Sequence, residues 1–164
     1  MDATALQDAY RTFLDAAESV AAAGDAIRTP PPGEWDADQI LAHIAIINAA
    51  TIAAVNSVAT GSLTTYDNRI AHDGWTLAHV IELSGGGAGL RDRIRLQGEA
   101  LCALVGSVTS DAEPATLVPT LLVSKDAVLL DQPVPLRDLI TGLSDVELPG
   151  HAAQLRALLP AGAG

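Results

Sequence analysis

The chain has 164 residues, the size of one domain able to bury about two thirds of its unfolded surface. Hydrophobic residues make up 49% of it but aromatic residues only 3%, which favours close-packed helices over a β-sandwich. The net charge of −11 repels phosphate backbones, so nucleic acid is excluded as an expected partner.

Three further features indicate the compartment. No uninterrupted apolar run reaches the roughly 18 residues of a membrane span, since polar residues interrupt even the segment from Ile40 to Val58. Residues 1–4 are acidic and polar where a signal peptide is basic and then apolar. Cys102 is the single cysteine, which excludes an intrachain disulfide. We therefore expect residues 1–164 to form a single cytoplasmic domain with no membrane partner.

Two apolar stripes predict the first two long helices. Apolar residues recur at steps of three and four from about Ala3 to Arg28, where a run of prolines ends the pattern. A second helix is expected to begin near Asp36, because Asp36 with Gln39 three residues later forms a capping-box pattern. Gly61 supplies the left-handed residue that ends this helix.

The middle of the chain carries weaker patterns. A turn or short helix is expected between Tyr66 and His72, and another short helix between Trp75 and Leu83. The glycine cluster from Ser84 to Gly89 lacks the preceding strand and the following Lys-Ser or Lys-Thr of a phosphate-binding loop. We therefore predict a plain loop there.

A third long helix is expected from Leu90 to about Val108. Its outer face carries Arg91, Arg93 and Arg95, which is typical of a solvated face, although an arginine near a cavity mouth can also hold a substrate carboxylate. Cys102 lies among apolar neighbours on this helix, so it is interpreted as a small core residue without chemistry.

The segment before the last helix breaks the helical period. Residues 117–123 and 128–130 flank a polar turn, the pattern of a short β-hairpin in which Pro119 confines the first strand to an edge. A fourth helix is expected after Pro135, with an interruption at Pro149-Gly150. The sequence thus predicts an all-α fold, a four-helix bundle with a small β-hairpin in the crossover before the last helix.

Three distant side chains predict a metal site. Glu147 and His151 are four residues apart and share one helix face, whether Pro149 kinks that helix or opens a new one. His43 lies on the apolar side of the second helix, so its ring is expected to point inward. Two imidazoles and one carboxylate form the ligand set of a catalytic zinc site with an open position. The alternative is that His43 is a buried helix histidine bonded to a neighbour and Glu147 a capping residue.

Other polar residues are weaker candidates. Supporting hydrogen bonds to the metal ligands are expected from Asp36, Gln39 or Gln154. His79 precedes Glu82 by three residues, a spacing that also binds metals, but both His79 and His72 are interpreted as surface or loop histidines. Trp75-x3-His79 is a faint echo of Trp35-x7-His43.

Two of these stretches resemble a known superfamily. The stretch from Gly33 to Ile44 resembles the second helix of DinB-like proteins, and more narrowly the metal-binding N-terminal domain of mycothiol-dependent maleylpyruvate isomerases. Residues 147–155 resemble the family's Glu-or-His-x3-His motif with its trailing Ala-x-Gln-Leu. The hairpin and the approach through residues 131–133 are also similar to that family. Because the chain ends at Gly164, we expect no counterpart of the isomerases' second domain.

The resemblance implies a function as well as a fold. It implies a four-helix bundle that holds a divalent metal, with zinc expected and nickel as the alternative, through His43, Glu147 and His151. It also implies an isomerase or S-transferase in which the metal activates a low-molecular-weight thiol such as mycothiol, acting on a small-molecule substrate. The alternatives are a metal-dependent hydrolase that uses the same ligands, or a noncatalytic small-molecule-binding or stress-response bundle. A homodimer is expected.

Overall fold

The computed structural model describes residues 1–107, 112–125 and 127–160. Over these residues the fold is mostly helical, as the composition predicts, with one small three-stranded sheet, while the four-helix bundle stays a prediction. The helices and strands follow one another in this order: α1 (Thr4–Ala23), α2 (Ala37–Ala59), β1 (Tyr66–Asp67), α3 (Gly74–Ser84), α4 (Gly87–Ser107), α5 (Ala112–Ala115), β2 (Leu117–Ser124), β3 (Ala127–Pro135), α6 (Leu136–Gly142) and α7 (Leu148–Ala157). Two 3-10 turns and a π-helical segment complete them: Gly24–Ala26, Arg69–His72 and Leu143–Glu147.

The start of α2 is confirmed in atomic detail. The Asp36 carboxylate accepts a hydrogen bond from the Gln39 amide at 2.8 Å, and the Gln39 side chain accepts one from the Asp36 amide at 3.0 Å. The predicted end of this helix is also confirmed, because Gly61 adopts φ +71° just after Ala59. Helix α1 is shorter than expected: it ends at Ala23 rather than Arg28, because Gly24 turns to φ +52°.

Helix α2 forms the centre of the core. It packs along α4 and α3, while α1 packs against α7 and α4. Each fully buried aliphatic side chain contributes about 1.5–3 kcal/mol through removal from water. The largest fully buried apolar side chains come from all of these helices and from α6: Leu6, Phe13, Ile40, Ile44, Leu77, Leu90, Ile94, Leu101, Leu136, Leu148 and Leu155.

The central position of α2 explains its apolar composition. Within the described residues, Ala37–Ala59 is the one helix long and apolar enough to cross a bilayer on length and composition, with a mean hydropathy of 1.6. However, 61% of that window is buried inside the protein, which is typical of a core helix in a soluble protein. The cytoplasmic location stays a prediction.

The predicted hairpin is confirmed as β2 and β3, which pair antiparallel, but it belongs to a larger sheet. Strand β1 adds to it in parallel, which makes β2 the central strand in the order β1-β2-β3. The expectation that β2 is an edge strand is therefore wrong. Pro119 is tolerated because, among the described residues, β1 pairs only with Thr120 and Leu121 and does not reach it. Residue 126 of the predicted turn lies outside the described residues.

The glycine cluster is a helix junction rather than the predicted plain loop. Helix α4 already begins at Gly87, three residues earlier than expected, and its predicted last residue, Val108, lies outside the described residues. Gly89 is required there because a Cβ atom at this position would lie 1.8 Å from the Ser84 carbonyl oxygen. The cluster thus lets two consecutive helices approach each other closely.

Candidate metal centre

His43 is held in one orientation by the fold. Its side chain is 1% exposed, on the inner face of α2. Its Nδ1 lies 2.8 Å from the Ala71 carbonyl oxygen in the turn Arg69–His72, and its Nε2 lies 2.8 Å from Glu147 Oε1. A carbonyl oxygen can only accept, so Nδ1 donates to Ala71. In the neutral ring the lone pair of Nε2 therefore faces the carboxylate.

The ring of His151 is oriented in the same way, with one nitrogen bonded to a supporting oxygen and the other directed at Glu147. His151 Nδ1 lies 2.8 Å from Gln154 Oε1, and His151 Nε2 lies 3.3 Å from Glu147 Oε1. With Nδ1 donating to the amide oxygen, this Nε2 also presents its lone pair to Glu147. Gln154 is thus the supporting residue among the three predicted, whereas Asp36 and Gln39 bond to each other in the capping box.

The three predicted ligands converge at one point. His43, Glu147 and His151 each offer one ligand atom, and these atoms all lie within 4.8 Å of one another. Two imidazole lone pairs and a carboxylate oxygen that face each other require a positive charge between them. A proton on each ring or one shared metal ion supplies that charge. Metal-binding histidines typically donate their other ring N–H to a carbonyl or carboxylate, as both rings do here. The group could therefore hold a metal ion.

The carboxylate is electrostatically stabilised at this position. Burial alone would raise the pKa of Glu147, but when each ring carries a second proton the hydrogen bonds from His151 and His43 and their positive charges outweigh burial and hold that pKa well below its usual range. Glu147 therefore remains ionised, which is the form that binds a cation.

The orientation of Glu147 depends on a short π-helical segment between α6 and α7. The expected interruption at Pro149-Gly150 is wrong, because both residues lie inside α7, with Pro149 in the first turn, where its missing N–H is not needed. The α-helical pattern changes earlier, in the π segment Leu143–Glu147, with no loop between α6 and α7. Such π segments occur frequently at functional sites. Of the two alternatives for Pro149, a new helix that starts around it is closer to the observed structure.

An aromatic wall that the sequence did not predict covers one side of the group. The Trp35 ring centroid lies 4.7 Å from that of His43 and 6.0 Å from that of His151. His72, interpreted from sequence as a surface or loop residue, is half-buried with its ring centroid 5.0 Å from that of His43. Only the spacing of Trp35 from His43 offered a signal for this contact.

The weaker sequence candidates lie elsewhere. His79 is on the exposed face of α3, 4.0 Å from Glu82, and stacks on Trp75. Cys102 is a buried free thiol on α4 whose pKa is raised by burial, so it stays in the unreactive protonated form. Arg93 and Arg95 are exposed, as predicted for the outer face of α4, whereas the Arg91 side chain is only 20% exposed and bonds to Glu18 on α1 at 3.1 Å.

The ligand group opens into a cavity of about 650 Å³, within the usual size of small-molecule sites. Tyr66 also lines it, with its hydroxyl 3.3 Å from the Thr51 hydroxyl. Burial raises the pKa of Tyr66 to about 12, so the hydroxyl remains a hydrogen-bond donor at neutral pH.

Comparison with known proteins does not identify the family. The chain matches no protein-family model, no curated protein and no solved structure. The resemblance to DinB-like proteins stays a prediction, and the chemistry of the site has to be derived from its own residues.

Proposed function

We propose that the protein is a metal-dependent enzyme of the thiol-dependent isomerase or S-transferase type, acting with a low-molecular-weight thiol such as mycothiol. The observation that carries this proposal is the convergence of His43 and His151 on Glu147 Oε1, at 2.8 and 3.3 Å, beside a cavity of small-molecule size. The DinB-like four-helix bundle, the cytoplasmic location and a homodimer belong to the same proposal.

The donor set fits a catalytic metal. Two imidazole nitrogens and one carboxylate oxygen suit zinc, the expected ion, and imidazole also suits nickel. Three protein ligands leave one position of a four-coordinate ion open to a small molecule. When bound, the ion lowers the pKa of a coordinated thiol, so that the nucleophilic thiolate is present at neutral pH.

The chain's own residues orient and shield this site. The Ala71 carbonyl and the Gln154 side chain each fix one imidazole, so that both Nε2 atoms stay directed at Glu147. The indole of Trp35 covers the rings on one side and excludes water there. The Tyr66 hydroxyl, on the cavity wall, donates its proton to Thr51 Oγ1, whose own proton goes to the Ile47 carbonyl oxygen, so the Tyr66 oxygen can accept a hydrogen bond from a substrate.

Metal loading of paired histidine variants tests the site. We expect wild type and His79→Ala to retain stoichiometric zinc after loading and desalting, and His43→Ala to lose it while circular dichroism shows an intact fold. His79 is a suitable control because its exposed ring lies outside the ligand group. Full zinc retention by His43→Ala would refute the metal centre.

Turnover then tests the reaction class. Zinc-loaded protein with mycothiol and chlorodinitrobenzene should form the thioether, as a sulfur–carbon bond replaces the carbon–chlorine bond, chloride leaves and the thiol proton is released to water. No thioether should form without thiol, and in His43→Ala the rate should fall to that of the uncatalysed reaction. Metal-dependent cleavage of ester substrates without any thiol would instead identify a hydrolase. A protein that neither binds zinc nor turns over would be a noncatalytic binding bundle.

A further inference from the structure

The hydroxyl of Tyr66 is a buried polar group on the same cavity as the candidate metal ligands. Tyr66 is 7% exposed and lines this cavity together with His43, Glu147 and His151. Burial raises the pKa of Tyr66 to about 12, while the bond with Thr51 lowers it and the negative charge of Glu147 raises it as smaller effects. The hydroxyl therefore keeps its proton at neutral pH, and it lies near enough to Glu147 for that charge to act on it.

The hydrogen bonds around this hydroxyl run in one direction. Thr51 Oγ1 lies 2.9 Å from the Ile47 carbonyl oxygen, which can only accept, so the Thr51 proton is committed to Ile47. The Tyr66 hydroxyl lies 3.3 Å from the same Thr51 oxygen, so the proton between these two oxygens comes from Tyr66. In the described part of the chain the Tyr66 hydroxyl makes no other hydrogen bond. A lone pair of its oxygen is therefore left for a molecule in the cavity.

This arrangement favours a ligand that donates a hydrogen bond over one that only accepts. A donor pairs with the Tyr66 lone pair and leaves the bonds inside the protein unchanged. An acceptor has to take the Tyr66 proton away from Thr51, which leaves two buried oxygens 3.3 Å apart with no proton between them. Leaving a buried polar group without its partner is unfavourable.

From this chain of hydrogen bonds, we propose that Tyr66 is a specificity-determining residue whose oxygen accepts a hydrogen bond from a hydroxyl or N–H group of the low-molecular-weight thiol. Thiols without such a donor bind more weakly. The inference rests on the proposed function, because the open position of the metal centre is what holds the thiol in the cavity that Tyr66 lines. It adds a chemical requirement on the thiol that the metal ligands alone do not impose.

Cobalt in place of zinc makes thiol binding directly visible, because a cobalt-bound thiolate absorbs in the near ultraviolet through charge transfer. The probes are mercaptoethanol and mercaptopropanol, each compared with its methyl ether, which keeps the thiol and the oxygen but lacks the donor. The two chain lengths allow for different spans between sulfur and hydroxyl. The measured quantity is the ether-to-alcohol ratio of dissociation constants, compared between protein variants so that intrinsic differences between the thiols cancel.

Wild type should bind at least one alcohol about three- to tenfold more tightly than its ether, the usual net effect of one hydrogen bond. Tyr66→Phe should abolish this preference by weakening the binding of the alcohol alone. Tyr10→Phe is the matched control and should keep the preference. Tyr10 is the other tyrosine and is also buried, but it lies outside the cavity lining and its hydroxyl donates to Asn48 at 2.6 Å.

Thr51→Val tests the direction of the hydrogen bonds separately. This variant removes the acceptor of the Tyr66 proton, so the hydroxyl becomes able to donate to an ether oxygen. The preference should then narrow because the ether binds more tightly, a result that a packing role of Tyr66 does not produce. Circular dichroism establishes the fold of each variant, and Thr51→Val keeps the inference testable if Tyr66→Phe fails to fold.

The outcomes separate this inference from the function on which it rests. Cobalt and thiol binding with the same ether-to-alcohol ratio in wild type and Tyr66→Phe would overturn the inference and leave the metal centre in place. An equal loss of preference in Tyr10→Phe, or an unchanged ratio in Thr51→Val, would also overturn it. A protein that binds no cobalt, or that binds cobalt but no thiol, would refute the proposed function and this inference together.

Discussion

The protein contains two tryptophan–histidine pairs that illustrate what makes a candidate site. Trp35 and His43 have ring centroids 4.7 Å apart, and Trp75 and His79 have theirs 5.0 Å apart. Each histidine also lies near a glutamate, Glu147 at 2.8 Å and Glu82 at 4.0 Å. By residue type alone the two regions are nearly equivalent.

Their surroundings differ in three respects. His43 is 1% exposed, whereas the side chain of His79 is 46% exposed. The Ala71 carbonyl fixes Nδ1 of His43, and His151 supplies a further donor on the same carboxylate. The pair on α3 lies outside the group of candidate ligands in the described part of the chain. A histidine and a glutamate thus become a candidate metal centre only where burial, an orienting acceptor and a third ligand coincide.

We expect the largest difference between the two regions when the glutamate of each pair is replaced by alanine and zinc affinity is measured. Glu147→Ala should raise the zinc dissociation constant by more than about a hundredfold, because even partners that only support a ligand cost about 10- to 100-fold. Glu82→Ala should leave the constant unchanged. Competition with a chromophoric chelator measures both. Equal losses in the two variants would show that zinc does not bind at His43.

Zinc should stabilise the fold through one region only. At a free zinc concentration of about 100 times the dissociation constant, linkage adds about 2.7 kcal/mol to the free energy of unfolding, or about 5–10 °C in a domain of this size. Calorimetry should show this shift for wild type and His79→Ala, with reversal by a chelator. A zinc-dependent shift that survives in His43→Ala would contradict the assignment.

Two glutamines sharpen the comparison further. Gln154→Ala removes the acceptor of His151 Nδ1 and should weaken zinc binding about tenfold. Gln39→Ala removes a capping interaction of α2 and should cost about 1 kcal/mol of stability without weakening zinc binding. Isothermal titration and urea unfolding separate the two outcomes. Unchanged zinc affinity in Gln154→Ala would remove this residue from the site.

We expect the smallest effect when each tryptophan is replaced by phenylalanine and the free energy of unfolding is measured. Trp35→Phe should lower the free energy of unfolding by about 1 kcal/mol, because part of a half-buried ring contact is lost. Trp75→Phe should stay within about 0.5 kcal/mol of wild type, since the ring is mostly exposed. Urea unfolding followed by circular dichroism measures both. A larger loss for Trp75→Phe would mean that the α3 pair is the better packed of the two.

Local patterns in the sequence predicted the parts of the site that depend on one helix. The capping box fixes where α2 begins, the 3.6-residue period then turns His43 inward, and the four-residue spacing brings Glu147 and His151 together. The mostly helical composition of the fold follows from the same patterns. The four-helix bundle and the metal-dependent activity stay predictions.

The remaining features depend on contacts between distant segments. The Ala71 carbonyl, 28 residues from His43, reaches it through a 3-10 turn that has no apolar period. Strand β1 is only two residues long, so it has too short a pattern to be recognised, yet it makes β2 a central strand. Pro149 suggested a break in the last helix, but proline is compatible with the first turn of α7. In each case tertiary packing decided between locally acceptable conformations.

The π segment Leu143–Glu147 has a consequence for insertions and deletions in this chain. A single-residue deletion that removed the extra residue of the π turn would leave α7 nearly in place, whereas a deletion in α6 with the π turn retained would rotate α7 by about 100° relative to the start of α6. Glu147 and His151 would then be carried together around the helix axis, away from the stationary imidazole on α2. The chain length between Leu136 and Glu147 is therefore as much a determinant of ligand alignment as the identity of the donors themselves.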